Sequence, residues 1–289
     1  MIDGRIAGAP ISWGVCEVGG WGHQLSRERV LTEMRDIGLT ATEFGPVGFL
    51  ADTSDEAAEM LRRHDLRAVG GFLPLVLHDS ASDPLPQLDA FVDTCVAAGA
   101  GVVVLAAHSG VDGYDDRPVL DDVQWKTLLD NLDRLAAHAR SRGVTAVAHP
   151  HIGTMIENAA DVDRVLAGSS VGLCIDTGHL LAAGVDPVAL TASHPGRVAH
   201  VHLKDVDAGL AQRVIDRELT FSEAVRTGLF RTLGAGDVDV AAMVRTLESA
   251  GYDGWYVLEQ DVMLDGEPSD AGPVVNVRAS LDYLRGLGA

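Results

Sequence analysis

Eight short apolar runs divide this chain, and most pairs of neighbouring runs are separated by a stretch with helical spacing of its apolar residues. The runs fall at residues 6–12, 40–44, 67–73, 102–106, 144–148, 171–175, 198–203 and 255–258. Helical spacing covers 26–37, 54–64, 84–98, 122–141, 158–167, 238–250 and 274–287, with Ser26 as a cap and Gly38 as a stop for the first of these. Strand and helix in steady alternation imply parallel strands joined by crossover helices. Eight such units close into a (β/α)8 (TIM) barrel, which typically needs about 250 residues. The competing layout is an open doubly wound sheet, but no glycine-rich phosphate loop follows the first run. No composition break marks a linker, so residues 1–289 are expected to form one domain, with an insertion at about 206–236 after the seventh strand.

Composition narrows the function classes. A hydrophobic content of 47% supplies a large core, and the net charge of −20, with no Lys/Arg cluster, argues against a nucleic-acid partner. Cys16, Cys95 and Cys174 are far apart and odd in number, so a disulfide framework is not expected and a reducing compartment is. The N-terminus lacks a basic segment followed by an apolar run, and the longest apolar run, near 102–107, is too short to span a bilayer. The expectation is a cytoplasmic protein with neither membrane nor nucleic-acid partner. Its oligomeric state, a homo-oligomer included, stays open.

The chemistry gathers at the ends of the runs. The sixth meets Asp176 and then Thr177, Gly178 and His179. The seventh alternates so that His200 and His202 share one face, with Lys204 read on the other and Asp205 following. The second ends at Glu43, the fifth at His149-Pro150-His151, and the eighth at Glu259. In a barrel, the carboxyl ends of the strands converge on one mouth. Any one of these residues alone reads as a hydrogen-bonded or capping group. Their recurrence at strands five, six, seven and eight points to a bound divalent cation, because a packed core does not tolerate so many carboxylates and imidazoles without one or a bonded network.

Several segments also resemble a known family. They are AHPHIGTMIE at 148–157, CIDTGHLLAAG at 174–184, HVHLKD at 200–205, GAGDVD at 234–239, GYDGWYVLEQD at 251–261 and ATEFGPVGFL at 41–50. Together they resemble the xylose-isomerase-like sugar isomerases and epimerases, and within them the inosose dehydratase branch. The likeness spans most of the chain and is thin from 79 to 122. It implies a xylose-isomerase-like barrel whose metal ligands are the strand-five residue, here His149, with Asp176, His202 and Glu259. The family's epimerases carry glutamate at the strand-five position, where the two metal-bound glutamates work on opposite sides of the substrate carbon. Histidine there weakens the two-base arrangement and suits a dehydration, which needs one base and one acid.

The resemblance further implies a cyclic polyol ketone or keto-sugar as substrate, and Mn2+ or Co2+ for a mixed nitrogen and oxygen ligand set. Glu259 or Glu43 is the candidate base, and the choice stays open. His151 is the candidate to protonate or orient the leaving hydroxyl. His179 matches the family's substrate-contacting histidine, and Lys204 either bonds a substrate oxygen or forms an exposed pair with Asp205. Trp13 and Trp21, in the loop after the first run, are candidate apolar walls for the sugar ring, with a surface or oligomer contact as their other reading. The insertion reads as a lid with Gly234 and Gly236 as flexible points and Arg213, Arg217 and Arg226 over an acidic mouth, or as a dimer contact. A sugar epimerase, a 3-dehydroshikimate dehydratase and a non-catalytic polyol-binding barrel are the rival functions.

Overall fold

A computed structural model describes residues 2–288. In chain order the elements are β1 (Ile6–Gly8), α1 (Arg27–Asp36), β2 (Ala41–Thr42), α2 (Ser54–Arg63), β3 (Arg67–Ala68), β4 (Gly70–Leu75) and α3 (Leu85–Ala98). Next come β5 (Val102–Ala107), α4 (Asp122–Ser141), β6 (Thr145–Ala148), α5 (Ala159–Gly168), β7 (Gly172–Asp176), α6 (Thr177–Ala182), α7 (Pro187–Ser193) and β8 (Val198–Leu203). The chain finishes with β9 (Asp205–Val206), α8 (Ala208–Ile215), α9 (Phe221–Arg226), β10 (Phe230–Arg231), α10 (Val240–Ser249), β11 (Tyr256–Leu258) and α11 (Val274–Leu287).

One parallel sheet runs in the order β3-β2-β1-β11-β8-β7-β6-β5-β4. Its two outer members are halves of a single strand interrupted at Val69. That residue donates its N–H to the Thr42 carbonyl at 3.0 Å and accepts from the Val102 N–H at 3.2 Å, which joins the two ends. The result is an eight-stranded closed barrel, as expected. Inside it, small and branched side chains alternate with the outward-facing ones: Ala7, Ala41, Val69 and Val257 on one side, Val104, Val147 and Cys174 on the other. The main core lies between barrel and helices, where Leu128, Leu132 and Leu135 of α4 are fully buried.

Local sequence explains most helix starts. Asp121 with Gln124, Asn158 with Asp161 and Thr220 with Glu223 form reciprocal capping boxes that satisfy the first N–H groups of α4, α5 and α9. Two strand expectations shorten. The first run ends at Gly8 rather than Ser12, because Pro10, which has no N–H for a ladder, opens a 3-10 turn over Pro10–Trp13. The second keeps only Ala41–Thr42 as strand, although the Phe44 N–H still reaches the Gly70 carbonyl at 2.9 Å. The insertion holds two helices, α8 and α9, closed off by an antiparallel β9–β10 pair. No helix among the described residues is long and apolar enough to cross a membrane.

Candidate active site

Asp176 ends β7 and caps α6, and these two duties divide its carboxylate. Oδ1 accepts the N–H groups of Gly178 and His179 at 2.8 and 2.9 Å. Oδ2 therefore stays directed at the barrel mouth, where His149 Nε2 lies 3.4 Å away and His202 Nδ1 3.6 Å. Gly178 is needed for this geometry, since a Cβ there would sit 2.6 Å from the Lys204 Cβ. Thr177 Oγ1 ties the ends of β7 and β8 together, donating to the Lys204 carbonyl at 2.6 Å and accepting its N–H at 2.8 Å.

His202 is held from behind. Its Nε2 donates to Glu43 Oε1 at 3.0 Å, and His200 Nε2 donates to the same oxygen at 2.8 Å. A carboxylate only accepts, so Nε2 of His202 carries the hydrogen and Nδ1 is the nitrogen presented to Asp176 and to Glu259 Oε2, 3.3 Å away. Asp176, His202 and Glu259 thus offer donor atoms within 4.8 Å of one another. His149 joins through Asp176, and neither of its ring nitrogens has a hydrogen-bond partner, nor does His202 Nδ1. Buried nitrogens without partners beside carboxylates, in a mixed N/O donor set, suit a divalent cation.

Lys204 corrects two expectations. The sequence reading sets it on the face opposite His200 and His202, or in an exposed pair with Asp205. The two-residue strand period instead puts it in phase with both histidines, and its side chain is buried at 2% exposure. Its ammonium donates to Asp176 Oδ2 at 2.6 Å and to Glu259 Oε2, and lies 3.4 Å from Asp261 Oδ1. Asp205 serves elsewhere. Its Oδ2 accepts the N–H groups of Gly234 and Gly236 at 2.8 and 3.0 Å, and its Oδ1 that of Val238 at 3.0 Å. The two glycines expected as flexible points of the insertion are therefore fastened to a buried carboxylate.

The charges at this centre are set by burial working against neighbours. Burial opposes ionisation of Asp176, yet Lys204 and His179 hold its carboxyl well below the usual range. Burial opposes charge on His202 too, but Cys174, Glu259 and Glu43 outweigh it and raise the imidazole well above its ordinary value. Lys204 behaves the same way, with Asp176, Asp261 and Glu259 overcoming desolvation. Glu43 is lowered by His202 and His200 in spite of burial. Asp261 goes the other way: burial, offset in part by Lys204, and then the Glu259 and Asp176 charges push it up to about 7. Burial lowers His149, and lowers His151 and His179 well below their ordinary value.

All of these shifted groups except Asp176 line one cavity that opens at the barrel mouth. His151 and His179 stack in it with centroids 3.6 Å apart, and His151 Nδ1 donates to the Ile152 carbonyl at 2.7 Å, leaving Nε2 free. Phe72 and Phe221 supply apolar wall, the latter from the insertion. Trp13 does not. It is fully buried in the core, its indole N–H donates to Glu33 Oε2 at 2.7 Å, and the tryptophan of this loop that lines the cavity is Trp21. The insertion's arginines do not fold over the mouth as a group either, since Arg213 pairs with Glu218 and Arg226 with Asp265.

Residues 31–287 match the family described as "Xylose isomerase-like TIM barrel". The chain belongs to that family. Among curated proteins, it is 29% identical to the inosose dehydratase of Geobacillus thermodenitrificans, over 97% of this chain and 96% of that protein. It is 32% identical to the rhizopine catabolism protein MocC of Rhizobium meliloti, over 100% of this chain and 90% of that one. Among solved structures, the IolI protein with a bound zinc atom superposes with a TM-score of 0.71 at 14% identity, covering 98% of this chain and 97% of that one.

Within this xylose-isomerase-like barrel, Glu43, His149, His151, Asp176, His179, His202, Lys204 and Glu259 all reach the cavity or its rim of bonded groups. Glu17, Tyr114, Trp21 and Asp261 also line it, and sequence reasoning had not singled out the first two or Asp261. Asp261 had a readable cue, being two residues past Glu259 and so in strand phase with it. Glu17 and Tyr114 sit in loops without periodicity, and no pattern pointed to them.

Proposed function

We propose that this chain is a metal-dependent hydro-lyase that dehydrates a cyclic polyol ketone of the inosose type. The observation that carries the reading is the convergence of His149, Asp176, His202 and Glu259 at one small-molecule cavity. Near-full-length likeness to a curated inosose dehydratase supports it. These four residues would hold a divalent ion, with Mn2+ or Co2+ suited to the two imidazoles and two carboxylates. Such an ion, when bound, supplies Lewis acidity at a ketone oxygen and its neighbouring hydroxyl.

The chain's own groups divide the proton work. Glu259 takes the proton next to the ketone. Glu43, engaged by two imidazoles, orients His202 rather than acting as base. His151, anchored through Nδ1 and neutral, offers the Nε2 lone pair to orient the hydroxyl, which leaves as water with the proton that Glu259 has taken, and Phe72 and Phe221 keep bulk water away from the ring. With histidine at strand five, the two bases an epimerase places on opposite sides of the substrate carbon are not both present, which favours one-sided elimination. Three buried free cysteines fit a reducing, cytoplasmic setting.

The test is steady-state dehydration of 2-keto-myo-inositol by metal-stripped and reloaded protein. Activity that vanishes on stripping and returns with Mn2+ or Co2+ supports the reading. Activity indifferent to chelation contradicts it.

A further inference from the structure

The cavity has a polar side that the proton transfers leave unused. Glu17, in the loop after β1, and Tyr114, in the loop after β5, both line it, and the Tyr114 hydroxyl donates to the Glu17 carboxylate from 97 positions away in sequence. Tyr114 is 6% exposed, and its ring lies over His151 with centroids 4.4 Å apart. Its main chain packs against Gly153, which has φ +74° and where any Cβ would come within 2.5 Å of Tyr114 backbone atoms. The phenol is therefore held in place from two sides. Burial, and then the Glu17 charge, raise its pKa well above the ordinary value, so it remains a neutral donor to Glu17.

The bond leaves acceptors open. Glu17 Oε1 takes the phenol, while Oε2 has only the Cys16 thiol at 3.7 Å, a weak donor. The Tyr114 oxygen keeps its own lone pairs. Glu17 Oε2 and Tyr114 Oη are thus hydrogen-bond acceptors at a cavity whose nearby walls include Ile11, Phe72 and Phe221. A polyol ring brings hydroxyl donors, and a carboxylate acceptor bonds them more strongly than a neutral one does.

We infer that Glu17 and Tyr114 form the subsite that selects the substrate, reading hydroxyls of the polyol ring at positions away from the reacting carbons. The inference rests on the dehydratase reading and specifies which part of that site distinguishes a polyol ketone from an analogue lacking a ring hydroxyl. An analogue without the hydroxyl takes water from the buried Tyr114 oxygen and from the cavity-facing side of the exposed Glu17 carboxylate and returns nothing, which is how a polar subsite rejects an isostere.

The experiment compares Tyr114→Phe, Glu17→Gln and the double variant with wild type, all metal-loaded and checked for an unchanged Tm. Calorimetric titration with myo-inositol, a polyol without the ketone, reads binding apart from chemistry. Kinetics with 2-keto-myo-inositol and a ring-deoxy analogue read selectivity. Each single variant is expected to weaken myo-inositol binding about tenfold, Glu17→Gln by removing a charged acceptor and Tyr114→Phe by removing a neutral one together with the phenol that holds the Glu17 carboxylate in place. KM should rise more than kcat falls, the preference over the deoxy analogue should shrink, and the two substitutions should combine less than additively because they break one linked pair. Variants that bind and discriminate like an active wild type overturn the inference and leave the dehydratase reading intact. A wild type that binds myo-inositol through both residues but never releases water upholds the subsite and overturns that reading.

Discussion

Glu43 stands where a base was expected, yet one of its oxygens receives two imidazole N–H groups. If it positions His202, Glu43→Gln should weaken divalent-metal affinity about 10–100-fold while activity recovers at saturating metal. Glu259→Gln should instead lower kcat by about 10²–10⁴-fold, with no rescue by added metal. Chelator-competition titrations beside kinetics separate the two, and a metal-rescued Glu259→Gln would remove that residue as base. The raised His202 pKa has a further consequence. Without metal, the Nδ1 that would bind the ion carries a proton, which must leave on loading. Metal affinity should therefore rise with pH, about tenfold per unit for each proton released, below the folded-state pKa of His202. A pH-independent affinity would argue that His202 is not a ligand. The ligand candidates were readable because each directly follows an apolar run, whereas the Glu17–Tyr114 pair depends on two loops meeting in space.

The loop after β1 shows what strand and helix patterns leave out. Two tryptophans stand in it, and composition alone offers both to a sugar ring. Trp13 ends the turn opened by Pro10 and is driven into the core against Glu33 of α1, while Trp21 lines the cavity. Trp13→Phe should cost about 1–3 kcal/mol of unfolding free energy by leaving Glu33 short of a donor, readable by urea titration; a large change in KM with stability untouched would return Trp13 to the site. The insertion is fastened by Asp205, which collects the N–H groups of Gly234, Gly236 and Val238. Asp205→Asn replaces one acceptor oxygen by a donor and should destabilise the fold by about 1–3 kcal/mol; unchanged stability would mean the insertion is held by its apolar contacts instead. By contrast, β8, α4 and α11 begin and end at the residues their periodicity indicates. Their signals are local: strict alternation, an Asp121–Gln124 box, and long apolar helical stripes. The role of Asp205 was not local, because its partners lie some thirty residues downstream.

Closure of the barrel is what turns scattered strand ends into a site. His149 and Glu259 are separated by more than a third of the chain, yet both approach Asp176 and His202 because their strands lie within three positions of one another around the ring. The strand and helix count made that ring legible beforehand. The break of the third strand at Val69, which joins the sheet ends, was not, since both halves carry the same apolar pattern. What this ring of donors does when loaded with metal can be followed by a proton NMR time course of the Mn2+-loaded protein with 2-keto-myo-inositol in deuterated buffer, alongside a chelator-treated control. Conversion to the dehydrated diketone is expected in the loaded sample alone. Deuterium entering the ring with no loss of water, or no reaction while metal is bound, would contradict the dehydratase reading.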